Sequence, residues 1–306
     1  MRMRSLLSAI VLVSACCPAA CEPAIAAAAA AFSSWAYHQA ECVWECCRGT
    51  KWIGLNETSL KADLESRVFG QHIAIDLVTK ALINHANLSE NATKPLVLSF
   101  EGMSGTGKSY IIAPHHFPLK NAQEIHKIDL RNQILTARRK CDRFLFIFDE
   151  VDELSRELID VIHPFVEQNS SVDGTNFSRS IFIFISSSQA DKINEYLLKQ
   201  YEKGIKREGI DAKELDNVIS EENSDLWHSK LIQKKSIDYI VPFLPLERQH
   251  VKKCIEVEMK KANMLVTEAL LDTVANEHNY WPKDRQLFSS SGCKKVRSRL
   301  DYHSFR

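Results

Sequence analysis

The sequence has no excess of charge of either sign. Its 306 residues carry 39 Lys and Arg against 39 Asp and Glu, a formal net charge of zero. That balance removes the broad positive field that draws a protein to nucleic acid, so no nucleic-acid partner is expected. No stretch is rich in proline or glycine and no internal repeat is present, which excludes low-complexity linkers and solenoids. The apolar run near the N-terminus is too short to span a bilayer alone. Cys42, Cys46 and Cys47 have no second ligand pair nearby, which argues against zinc. What remains is an ordinary globular composition, long enough for one or two domains with a real core.

The first 20 residues read as a secretory signal peptide. Arg2 and Arg4 form a positive region, Leu6 to Val13 an apolar one, and small residues follow at Ala15, Ala19 and Ala20. Residues 21–58 form an Ala-rich, Cys-containing segment. Its uncharged part, Ala24 to Ala36, is only weakly hydrophobic and suits peripheral contact with a membrane better than a second span. Entry into the secretory pathway would give the nine cysteines an oxidising setting. Disulfides or structural thiols are the expected state of Cys42, Cys46 and Cys47. Cys254 and Cys293 are far apart in sequence yet able to meet in a fold. Sequons at Asn56, Asn87, Asn91, Asn169 and Asn176 agree with a luminal location. The chain does not end in a Lys-Asp-Glu-Leu-type signal.

Against these absences stands one strong motif. An apolar strand, Leu96–Phe100, leads into Gly102-Met103-Ser104-Gly105-Thr106-Gly107-Lys108-Ser109, a complete P-loop. Main-chain N–H groups of such a loop cradle phosphates. Lys108 can reach the β- and γ-phosphates of ATP, and Ser109 can ligate Mg²⁺. A second apolar run, Phe144–Phe148, ends in Asp149-Glu150, a Walker B pattern. Asp149 is placed to hold Mg²⁺ through water and Glu150 to polarise the attacking water. A third apolar run, Ile181–Ile185, ends in Ser186-Ser187-Ser188, where a polar sensor of the γ-phosphate is expected as readily as a plain loop.

Helices are expected from Ser59, over Ile73–Asn84 and over Glu157–Gln168, with a break at Val68–Gln71. Residues 190–235 read as charged and mostly helical. Val241–Leu246 reads as a rigid apolar connector, followed by helices at Glu247–Lys261, Val266–Glu277 and from about Gly292. The fold class is therefore α/β, with a nucleotide-binding domain over 59–240 and a small helical lid over 241–306.

This series resembles the AAA+ ATPases, and within them the torsins of the endoplasmic reticulum lumen and nuclear envelope. The resemblance rests on Glu45-Cys46-Cys47, Phe69-Gly70-Gln71-His72, Lys94-Pro95-Leu96, Gly105-Thr106-Gly107-Lys108 and His116-Phe117-Pro118. It continues through Ile147-Phe148-Asp149-Glu150, Val172-Asp173-Gly174, Phe182-Ile183-Phe184, Leu226-Trp227-His228-Ser229, Ile237-Asp238-Tyr239, Val241–Glu247 and Gly292-Cys293-Lys294. It implies an AAA+ domain with a parallel central sheet flanked by helices, followed by the lid. It further implies a chaperone-type ATPase, binding ATP and Mg²⁺, located in the lumen including the perinuclear space. A membrane-anchored luminal activator would supply an arginine finger within a homo- or hetero-oligomer, acting on a client the sequence does not identify. By the same resemblance Lys294 is the second sensor, Ser187 stands at the first sensor position, and Cys254 and Cys293 form a redox pair.

The chain departs from that family in three places. The loop ends Lys108-Ser109 where animal torsins commonly have Lys-Asn, and Ser187 replaces an Asn. Lys108 and Asp149 are only 41 positions apart. Roughly 25 residues, most of the P-loop helix and the next strand, are missing after Ile112, which shortens the helix whose N-terminus faces the phosphates. Two alternatives follow: a nucleotide-dependent scaffold that turns over little, and a defective splice isoform.

Overall fold

The computed structural model describes residues 10–13, 56–88, 91–112, 127–140, 143–154, 156–168, 171–220 and 236–304. The Ala-rich segment, Cys42, Cys46, Cys47, Pro114, the Leu226–Ser229 motif and residues 1–9 and 14–20 of the expected signal peptide lie outside the described residues.

Five strands form the main sheet: β1 (Ile10–Val13), β3 (Leu145–Phe148), β6 (Ile181–Ser186), β2 (Leu96–Gly102) and β7 (Tyr239–Phe243), in that spatial order. The last four run parallel, and β1 is antiparallel to β3 with Ile10 opposite Phe148. The unbroken apolar runs of β2, β3 and β6 fit strands covered on both faces. Two small hairpins, β4–β5 (Ser171–Val172, Thr175–Asn176) and β8–β9 (Tyr280–Trp281, Phe288–Ser289), complete the strands described.

Side-chain alternation sorts the central strands by residue type. Phe146, Phe148, Phe182 and Phe184 face one way and stack across the β3–β6 pair, with ring centroids 4.7 Å apart for Phe146–Phe182 and 5.2 Å for Phe148–Phe184. Helices α4 (Lys127–Lys140) and α5 (Arg156–Val166) cover this face with Leu130, Ile134, Ile159, Ile162 and Phe165. Ile147, Ile183 and Ile185 face the other way, with Leu98 and Phe100, towards α1 (Glu57–Arg67) and α2 (His72–Leu88). The result is a three-layer α/β domain. Helix α1 begins at Asn56, whose side chain accepts from Ser59 N, and ends at Val68, where the sequence predicts a break.

Beyond β6 come α6 (Ala190–Glu202) and α7 (Ala212–Ser220). The C-terminal region is helical: α8 (Arg248–Lys261), α9 (Glu268–Asn276) and α10 (Val296–Ser304) enclose Val251, Ile255, Met259, Leu271, Val274, Val296 and Leu300. Cys254 and Cys293 are joined by a disulfide that links α8 to the segment before α10.

Three differences from the sequence expectations have physical causes. Val241–Leu246 is not only a connector. Its first half is β7, paired with β2 so that Val241 lies opposite Phe100 and Pro242 opposite Glu101. Proline is tolerated there because β7 is an edge strand. The lid therefore starts after Phe243, not at Val241. Helix α4 was not expected at all, because its composition is strongly polar, yet Leu130, Ile134 and Ala137 fall at helical spacing on its buried side. Finally, Ile10–Val13, inside the stretch expected to be a signal peptide, form a strand beside β3.

Candidate functional site

Gly102–Ser109 runs from the end of β2 into α3 (Lys108–Ile112). Gly105 and Gly107 have φ of 80° and 109°, a backbone that side-chain-bearing residues rarely adopt. Gln71 holds the loop from below. It is almost fully buried, donates through Nε2 to Thr106 O at 3.0 Å and Leu244 O at 2.8 Å, and accepts from Leu244 N at 2.9 Å. One amide thus fastens α2, the P-loop and the chain leaving β7.

The loop opens onto a cavity of about 590 Å³, lined among others by Ser104–Tyr110, Asp149, Glu150, Ser187, Cys293 and Lys294. Residues from five separate elements therefore meet at one place. Ser109 Oγ donates to Asp149 Oδ2 at 3.3 Å, so the expected Mg²⁺ ligands are already neighbours. A hydroxyl and a carboxylate are the hard oxygen donors that Mg²⁺ prefers, with water completing the shell. Among the described residues no group of three or more His, Cys, Asp or Glu is placed to hold a metal alone. Lys108 Nζ is turned back on its own loop, donating to Gly102 O and, at 2.9 Å, to Met103 O. Burial lowers its pKa to about 8, against the raising influence of Glu101, Asp149 and Asp152.

Glu150 is exposed and adopts a left-handed backbone, φ 54° and ψ 44°. Its amide donates to Asp149 Oδ1 at 3.0 Å. A non-glycine residue in that region is strained, and the strain sits at the end of the strand carrying both acids.

Ser187 borders the cavity, but its hydroxyl is taken. It donates to Asp152 Oδ2 at 2.8 Å, and its amide reaches the same oxygen at 3.4 Å. The sequence reading missed Asp152, which lies in a 3-10 turn (Val151–Glu153) just after the Walker B strand. Arg67, Tyr110, Glu258 and Arg297 also line the cavity and were not anticipated. Tyr110 accepts from Lys261 Nζ of the lid at 3.1 Å.

The lid rests directly on the phosphate loop. Cys293 N donates to Gly105 O at 2.9 Å, and Lys294 Nζ lies 3.3 Å from Ser104 Oγ. A Cβ on Gly105 would stand 2.0 Å from Ser291 O, and one on Gly292 would stand 2.1 Å from Gly105 O. Both glycines are needed for this approach. Among the described residues no helix is long and apolar enough to cross a membrane.

Comparison with known proteins agrees with this geometry. A family model described as Torsin matches residues 42–113, and one described as Torsin-1A, C-terminal domain, matches residues 246–303. The first match stops one residue before Pro114. A Torsin-like protein of Caenorhabditis elegans is 37% identical over 287 residues, covering 85% of this chain and 80% of that protein. Among solved structures, the S. cerevisiae Hsp104–ADP complex superposes with a TM-score of 0.56 at 17% identity, over 82% of this chain and 48% of that one. The extended Hsp104–casein complex gives 0.57 at 16% identity, over 84% and 49%. The chain thus spans about half the length of the Hsp104 chains it matches, and at that identity they show the AAA+ fold alone. With the relative's coverage and the paired family matches, the chain belongs to the torsin family of AAA+ proteins.

Proposed function

We propose that this chain is a torsin-type ATPase of the endoplasmic reticulum lumen and perinuclear space, working with an activator in trans. One observation carries the reading: Lys108, Ser109, Asp149, Glu150 and Lys294, contributed by three segments of chain, face a single cavity. In that cavity Lys108 would leave the carbonyls of Gly102 and Met103 for the phosphates, and Ser109 with Asp149 would hold Mg²⁺. Glu150 would accept the proton of the attacking water at its carboxylate while Lys294 meets charge on the γ-phosphate from the lid. Membership of the torsin family supports an activator that supplies an arginine finger within a homo- or hetero-oligomer. The leader-like N-terminus and the Cys254–Cys293 disulfide support an oxidising compartment. Because Cys293 also contacts Gly105, the same disulfide supports redox control of the lid.

A specific observation favours a second reading, a nucleotide-dependent scaffold with little turnover. The Ser187 hydroxyl, which stands where the resemblance places the first sensor, is engaged by Asp152. Phosphate release, measured with and without the luminal domain of a torsin activator, separates the two. The ATPase reading expects release that Glu150→Gln abolishes and Lys108→Ala prevents at the binding step. Tight ATP binding with no release, even with activator, selects the scaffold.

A further inference from the structure

Glu101 has no part in the chemistry described so far, yet it is one of the most deeply placed ionisable groups beside the cavity. It is the penultimate residue of β2, directly before Gly102, and is 2% exposed. Its carboxylate reaches across to the tip of β6. Oε1 accepts from Ser99 Oγ at 3.0 Å, and Oε2 accepts from Ser188 Oγ at 3.3 Å and Gln189 N at 3.4 Å. Ser186 Oγ donates to Ser188 Oγ at 2.9 Å and accepts from Ser188 N at 2.9 Å.

Two consequences follow. Gln189 is the N-cap residue of α6, and its own side chain makes no capping bond. From another strand, Glu101 accepts instead from the main-chain amide of Gln189 itself, at the start of the helix. The residues after Ser187 are tied to Glu101, and Ser186 is tied to them. Ser187 is thereby held at the rim of the cavity, its hydroxyl turned to Asp152. A single carboxylate fixes the strand that enters the phosphate loop to the loop that would feel the third phosphate.

We propose that Glu101 is a positioning residue that couples the phosphate loop to the Ser186–Gln189 turn and sets how well the site distinguishes a nucleoside triphosphate from a diphosphate. The proposal rests on the nucleotide-binding reading above. It requires no contact between Glu101 and nucleotide. Its effect passes through Ser188, the Gln189 amide and Ser187.

The coupling is also titratable. Burial, and next the nearby Asp152 charge, raise the Glu101 pKa to about 7, while hydrogen bonds such as those from Ser99 and the Gln189 amide hold it down. The charged groups that face it are Lys108 from α3 and Asp152 from the turn after β3. Below about pH 7 the acid becomes neutral and loses the charge-assisted bond to Gln189 N, which cannot reorient as a hydroxyl can. Discrimination should therefore weaken as pH falls.

The test measures affinities of fluorescent ADP and ATPγS for the full chain at pH 8 and pH 6, in wild type, Glu101→Gln and Ser188→Ala. In wild type the preference for ATPγS falls about fivefold to tenfold between the two pH values, the worth of one charge-assisted hydrogen bond. Glu101→Gln shows the low preference at both pH values, with ADP affinity within about twofold of wild type. Ser188→Ala shows a partial loss at pH 8 and carries the test if the glutamine variant does not fold. A Glu101→Gln protein with wild-type preference and pH slope overturns the proposal, as does an equal loss for both nucleotides. Wild-type protein that binds neither nucleotide overturns the nucleotide reading itself, a result separable from a failure of Glu101 alone.

Discussion

The amide of Cys293 and the carbonyl of Gly105 are hydrogen-bonded at 2.9 Å, so the lid meets the phosphate loop main chain to main chain. Nothing larger than glycine fits at Gly105 or Gly292. Gly292→Ala is expected to destabilise the fold by about 1–3 kcal/mol, since the substitution meets both a clash and a left-handed backbone. It should also weaken nucleotide binding about tenfold, because a displaced lid takes Lys294 with it. Thermal unfolding and nucleotide titration check the two effects separately. Unchanged nucleotide affinity in a destabilised variant would show that the lid contact is structural only.

The disulfide anchors the same contact from the other side. It closes a span of 39 residues. Cys254→Ser is expected to cost about 2–4 kcal/mol of stability. Mild reduction of wild type should move nucleotide affinity in the same direction as this variant, and should leave the variant itself unaffected. A reductant effect of equal size in Cys254→Ser would assign the response to some other cysteine.

Glu150 separates strain from chemistry. Glu150→Gln keeps the side-chain shape and should reduce phosphate release at least about a hundredfold while nucleotide binding persists. Glu150→Gly removes the same carboxylate but relaxes the left-handed backbone. Its stability should rise by about 1 kcal/mol. Chemical denaturation reads the difference between the two variants. Equal stability would mean that the surrounding loop, not the Cβ, sets the conformation.

Asp152 holds the hydroxyl that the site would otherwise offer to phosphate. Asp152→Ala frees Ser187 and should raise activator-dependent phosphate release several-fold, about 1 kcal/mol of barrier. The gain should vanish in the double variant with Ser187→Ala. If Asp152→Ala lowers release instead, Asp152 itself works in the site and the Ser187 contact is incidental.

His250 predicts an acid limb in stability. Burial, reinforced by the positive charges of Arg207 and Lys253, lowers its pKa to about 3. Above pH 6.5 the imidazole is neutral in both folded and unfolded chains and has no effect. As pH falls below that value the unfolded chain takes up a proton the folded chain refuses, so stability is lost. From pH 6.5 to about pH 5.5 the loss from this group is about 1 kcal/mol. His278, lowered to about 4, acts in the same sense. His250→Gln, which keeps an acceptor for Glu247 N, should flatten part of the limb in denaturation curves measured across this range.

Much of the site was readable because its parts are close in sequence. The glycines, Lys108 and Ser109 form one covalent string, and Asp149-Glu150 end an apolar run that must be a buried strand. The residues that hold the string in place were not readable. Gln71 meets Leu244 across 173 positions, Asp152 meets Ser187 across 35, and Glu101 meets Gln189 across 88. Each looks like an ordinary polar residue until the strands are set side by side. The same holds for Tyr239–Phe243, whose identity as a strand lies in its pairing with β2 and not in its own Pro-containing sequence. Helix α4 is a different case. Its signal, Leu130, Ile134 and Ala137, was present and was outweighed by the polar residues around it.

The placement of β1 bears on the life history of the chain. Ile10–Val13 pair with the whole length of β3, the strand that delivers Asp149 and Glu150. If residues 1–20 serve as the signal peptide the sequence suggests, these four residues also belong to the stretch removed by cutting near Ala20. Processing would strip the neighbour from β3 and leave its main-chain donors and acceptors as a bare sheet edge, the kind of surface on which chains aggregate. On that reading, export and solubility would pull on the same four residues in opposite directions.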